Sequence, residues 1–88
     1  MRINVVRTSR KFEKQYKKLP RQIKDVAKEK ESLFRENPFN PRLDTHKLHG
    51  KEKETWAFSV TRTYRIKFFF ITDTEVLFLE IGTHNIYH

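Results

Sequence analysis

The last third of the chain carries three strand-like runs, and the rest of the sequence has to supply whatever covers them. Trp56, Phe58 and Val60 alternate with Thr55, Ala57, Ser59 and Thr61, and Tyr64, Ile66, Phe68 and Phe70 alternate with Arg65, Lys67, Phe69 and Ile71. An Asp73-Thr74 turn then leads into Val76 to Ile81, which is apolar on both faces. Alternation with a period of two predicts antiparallel strands with one apolar side. Such a side must pack against a second layer.

The only residues able to form that layer lie near the start. Ile3-Asn4-Val5-Val6 is short and β-branched and predicts a first strand. Thr8 and Ser9 offer an N-cap, and Phe12, Tyr16 and Leu19 follow at helical spacing. Pro20 suits the first turn of a second helix, whose stripe is Ile23, Val26, Ala27, Leu33 and Phe34 and which Asn37-Pro38 stops. The fold expected is α+β: an N-terminal strand, a helical hairpin and a three-stranded antiparallel meander in one mainly antiparallel sheet. It forms a single domain over residues 1–88. Residues 37–53, with Pro38, Pro41 and Gly50, read as a long loop.

Composition bounds the function. Only 36% of the chain is hydrophobic and 34% is charged, but twelve aromatics (eight Phe, three Tyr, one Trp) supply a core and argue against disorder. The absence of Cys excludes disulfide scaffolds, thiol catalysis and cysteine-ligated zinc. No apolar run of membrane-spanning length and no signal-peptide pattern follows Met1, so a soluble, cytoplasmic protein without a membrane partner is expected. The formal charge is +8, and residues 1–36 hold twelve Lys/Arg against five acids, whereas residues 56–88 hold three of each. Such a surface suits a polyanion, nucleic acid first and an acidic protein second. The outward helix faces carry Lys11, Lys14, Lys17, Lys18, Lys24 and Lys28.

The four histidines, His46, His49, His84 and His88, each fall in a loop or the tail. Each alone reads as a solvated surface residue. His46 and His49 are also spaced to reach one metal ion, but no acid is placed to complete a ligand set, and neither a metal nor a cofactor is expected. Arg65 either pairs across the sheet or points into a concave surface at the strand end. RNA cleavage needs only a base for the 2′-hydroxyl, a cation for the charge growing on the phosphoryl oxygens and an acid for the leaving 5′-oxygen. Histidine suits either proton transfer and arginine suits the phosphate. His46, His49, Arg65, His84 and Tyr87 are thus a sufficient set of parts. For RNA binding the candidates are Lys47, Lys51, Lys53, Arg62, Lys67 and His88, with Lys14, Lys17 and Lys18 on the helices.

Phe12…Leu19-Pro20, the second helix ending at Asn37-Pro38, His46-Lys47-Leu48-His49-Gly50, Tyr64-Arg65-Ile66 and Ile81-Gly82-Thr83-His84 together resemble the RelE/ParE toxin superfamily over essentially the whole chain. The resemblance implies a microbial-ribonuclease-like fold, a cognate antitoxin partner, and a toxin that cuts mRNA in the ribosomal A site. ParE-like members poison DNA gyrase instead, which is the alternative. His46 matches a histidine of the YafQ-like branch. His84 matches that branch's C-terminal catalytic histidine, and Arg65 the phosphate-stabilising arginine of the RelE-like and YoeB-like branches. Tyr87 is similar to a late aromatic of many members. No acid stands before Gly50 where YoeB-like toxins carry a catalytic Glu. The resemblance therefore gives His46 as the first choice of base, with His49, Lys53 and Glu54 behind it. His84 is the acid, with Tyr87 or His88 as substitutes.

Overall fold

A computed structural model describes residues 1–50 and 54–83. The elements run β1 (Val5–Thr8), α1 (Arg10–Lys17), α2 (Arg21–Glu36), a 3₁₀ turn at Pro41–Leu43, β2 (His46–Lys47), β3 (Trp56–Ser59), β4 (Arg65–Phe70) and β5 (Glu75–Gly82). The described strands form one sheet in the order β1-β5-β4-β3-β2, in which only the β1–β5 pair is parallel. The expected α+β architecture is present, with local corrections. The first strand starts at Val5, because Ile3 is drawn into the core, 2% exposed, and its N–H bonds the Arg35 carbonyl at the end of α2. Pro20 is the residue before α2 rather than its first turn.

The helices cover one face of the sheet. Phe34 of α2 is fully buried at the centre, with ring centroids 4.6 Å from Phe58, 4.9 Å from Phe68 and 5.5 Å from Phe78. Burying a side chain of that size contributes about 2–3 kcal/mol. Ser9 ends β1 and starts α1: its Oγ accepts from the Phe12 N–H at 2.9 Å and donates to the Leu79 carbonyl at 2.7 Å. Beyond Thr8, α1 takes over the edge of β5, where Gln15 Oε1 accepts the Ile81 N–H at 2.9 Å.

A bulge in β5 decides which side chains reach the other face. Lys67 pairs with Glu80 but Phe68 pairs with Phe78, so β5 carries one extra residue there. An inserted residue moves every later side chain to the opposite face. Val76, Phe78 and Ile81 therefore all face the helices, and Glu80 is turned away from them. No helix among the described residues is long and apolar enough to cross a membrane.

Candidate functional site

On the face turned away from α1 and α2, the register places His46 opposite Ala57, Ala57 opposite Lys67 and Lys67 opposite Glu80. The next row holds Ser59, Arg65 and Gly82. His46 and Arg65 thus lie on one face, two strands and two residues apart, roughly 12 Å between Cα atoms from ordinary strand spacing and rise. The floor between and beside them is made of small residues, Ala57, Ser59 and Gly82.

Among the described residues, Arg65 makes no cross-strand ion pair. Its neighbours in the register are Ser59 and Gly82, neither of them charged. Its Nη1 donates instead to the carbonyls of Thr61 (3.0 Å) and Arg62 (3.1 Å) in the turn between β3 and β4. A guanidinium has five N–H groups, two of them on Nη1. Both are used by the turn, which leaves the side-on edge formed by Nε and Nη2, the fork that fits two phosphate oxygens. Among the described residues no acceptor occupies that edge. Arg62 is exposed on the turn itself, as its sequence position suggested.

His46 is in a strand, not a loop: residues 46–47 pair with Ala57 and Trp56, a ladder too short to show alternation in the sequence. Its Nδ1 lies 2.9 Å from the Asp44 carbonyl. A carbonyl can only accept, so Nδ1 carries the proton of the neutral ring and Nε2 holds a free lone pair. Asp44 reaches this position through a left-handed backbone, φ 51°, which Asp tolerates better than most residues. Lys47 points to the helix side, its Nζ 5.9 Å from the centre of the Trp56 ring. His49 is exposed beyond β2.

Lys67 corrects the sequence reading. It was expected as a surface phosphate contact, but it is 4% exposed and its Nζ lies 3.1 Å from Glu80 Oε2. Glu80 also receives Lys11, at 3.1 Å, so this helix lysine bridges to the sheet edge rather than standing free. Burial pushes the Glu80 carboxyl up, but the hydrogen bonds and charges of Lys67 and Lys11 outweigh it and hold the group below its ordinary value. Lys14, Lys17 and Lys18 are exposed on α1 and its C-terminal cap, away from this face. Lys51, Lys53, His84, Tyr87 and His88 lie outside the described residues. Among those described, no three His, Asp or Glu side chains are grouped to hold a metal ion.

Sequence reasoning missed Thr61 and Glu80. Glu80 had a signal, as the one acid inside the apolar run Val76 to Ile81. A cavity of about 410 Å³ lies on the helix side, with a floor of Phe12, Tyr16, Ala27, Ile66 and Phe78. Glu13, Lys17, Lys28 and Glu31 also line it, and the Tyr16 hydroxyl bonds the Lys24 carbonyl at 3.4 Å.

No family model and no curated protein matches the sequence. Solved structures do match the fold. A YoeB/ParE toxin from Agrobacterium tumefaciens superposes with a TM-score of 0.78 at 10% identity, covering 92% of this chain and 99% of that one. YafQ in the Escherichia coli DinJ-YafQ toxin-antitoxin complex gives 0.75 at 20% identity, covering 98% and 97%. The archaeal RelE-RelB complex from Pyrococcus horikoshii gives 0.73 at 17% identity, covering 94% and 96%. Nearly complete mutual coverage at such low identity is a statement about architecture, and by that measure this chain has the fold of the RelE/ParE toxins.

Proposed function

We propose that the protein is the toxin of a type II toxin–antitoxin pair and that it cleaves mRNA in the ribosomal A site without a metal ion. The observation that carries this reading is Arg65: its guanidinium is held by two turn carbonyls with one bidentate edge unused among the described residues, between two small residues and on the same face as His46. His46 Nε2 takes the proton of the 2′-hydroxyl, whose oxygen attacks the adjacent phosphorus. The free edge of Arg65 receives the charge that builds on the phosphoryl oxygens. His84, assigned by the family resemblance, protonates the departing 5′-oxygen. The products are a 2′,3′-cyclic phosphate and a 5′-hydroxyl. Lys14, Lys17 and Lys18 supply a separate electrostatic contact to ribosomal RNA. An antitoxin partner is supported by the two matched complexes, DinJ-YafQ and RelE-RelB.

The test is primer extension on a translated mRNA, with and without ribosomes, using the wild type, Arg65→Ala and His84→Ala. Cuts in translated codons are expected only with ribosomes. Arg65→Ala should slow them by about 10²–10³-fold, the usual loss for one transition-state donor. A rate within twofold of the wild type would make Arg65 a structural residue. Growth arrest with no cleavage in any lane would move the protein to gyrase inhibition.

A further inference from the structure

The β3–β4 turn is built around one hydroxyl. Thr61 Oγ1 accepts the backbone N–H of Thr63 at 3.2 Å and of Tyr64 at 3.0 Å. The hairpin closes further through the Val60 and Thr61 N–H groups, which both donate to the Tyr64 carbonyl at 2.9 and 3.2 Å. Drawing two N–H groups onto the Thr61 side chain bends the chain so that the carbonyls of Thr61 and Arg62 both meet Arg65 Nη1. A threonine hydroxyl that closes its own turn is ordinary local chemistry. Its specific consequence is that a long, flexible side chain is fixed by a fork of two acceptors.

We propose that Thr61 is a positioning residue for the phosphate site: its hydroxyl shapes the turn that holds Nη1 of Arg65 and thereby aims the Nε–Nη2 edge. The proposal rests on the ribonuclease reading for its effect on rate, but not for its effect on the guanidinium. A cation that is already oriented loses little freedom when charge develops in the transition state, and small misplacements at such a site cost large factors in rate. Thr61 touches neither substrate nor reacting atoms. It acts only through Arg65.

The discriminating substitutions are Thr61→Ser, which keeps the hydroxyl, and Thr61→Val, which keeps the shape and removes it. In the full-length wild type, the Arg65 Nη1–H protons, held by the two turn carbonyls, should give distinct resonances in ¹⁵N NMR at low temperature, with rotation about the Cζ–Nη1 bond slowed. Thr61→Ser should preserve them and Thr61→Val should broaden or lose them, with the backbone spectrum changed only in the turn, residues 60–65. In single-turnover cleavage on ribosomes, Thr61→Val should slow the chemical step by about tenfold. Its ribosome affinity should stay within twofold, and Thr61→Ser should stay near the wild type. In an Arg65→Ala background, Thr61→Val should add no further loss. Unchanged Nη1–H resonances in Thr61→Val overturn the proposal, as does a rate loss that adds to that of Arg65→Ala. If the wild type does not cleave at all, the ribonuclease reading fails by itself, and the resonances alone decide whether Thr61 holds the guanidinium.

Discussion

The two faces of the sheet solve opposite problems with the same strands. In β4, Ile66, Phe68 and Phe70 turn to the helices while Arg65 and Lys67 turn away. The helix side is closed by rings around Phe34, one stacked on it and two edge-on, and its buried core is apolar. On the other side each cation has to be compensated, and the two are treated differently. Lys67 is 4% exposed and has a formal counter-charge in Glu80. Arg65, one row away, is half-buried and, among the described residues, is met only by the neutral carbonyls of a turn. A cation already neutralised by a carboxylate gains little from an anionic ligand, whereas one held by dipoles keeps its charge for it. The face is thus divided between a charge that supports the sheet and a charge that remains usable.

The helix side should break hardest. Phe34→Ala empties the centre of the core and should cost about 3–5 kcal/mol, read from denaturant midpoints. A loss below about 1 kcal/mol would mean that the rings around Phe34 do not form a close-packed core.

Lys67 comes next. Lys67→Met strips Glu80 of its buried partner, yet Glu80 keeps Lys11 and is still 15% exposed. The cost should therefore fall below the usual range for a broken buried pair, at about 2 kcal/mol. Replacing both residues, as Lys67→Met with Glu80→Met, should recover most of that loss, because apolar residues of similar volume often replace a buried pair at little cost. A double variant no better than the single one would show that Lys67 supports the sheet through contacts other than its charge.

The sequence announces the helix side and conceals the other. Apolar spacing in 10–36 and 56–81 is enough to name the two helices, the last three strands and the core, because burial enforces period. It cannot reveal a two-residue strand, so His46 and Lys47 looked like loop. Nor can it reveal the bulge at Leu79 (one inserted residue leaves composition unchanged), so Val76 to Ile81 looked apolar on both faces and the Lys67–Glu80 pair went unseen. Arg65 was legible as a residue but not in its surroundings, since its partners are backbone carbonyls. His84 and Tyr87 entered through the chemistry of their side chains and took their roles from the resemblance, not from periodicity, and both lie outside the described residues.

The smallest effect separates the two lysines on Glu80. Because its folded pKa is lowered, Glu80 contributes stability that is present above the ordinary glutamate range and is lost as pH falls through that range to the lower folded value. Glu80→Gln removes that titration, so the gap in denaturant midpoint between wild type and Glu80→Gln should narrow on going from pH 7 to pH 3. The share due to Lys11, whose side chain is 66% exposed, should be only a few tenths of a kcal/mol and should fade in 1 M salt. The share due to Lys67, 5% exposed at its side chain, should survive the salt. Comparing Lys11→Met with Lys67→Met at pH 7, in low and high salt, reads both shares directly. Equal salt sensitivity would place both lysines in the same solvent environment and dissolve the distinction between a surface ion pair and one that belongs to the sheet.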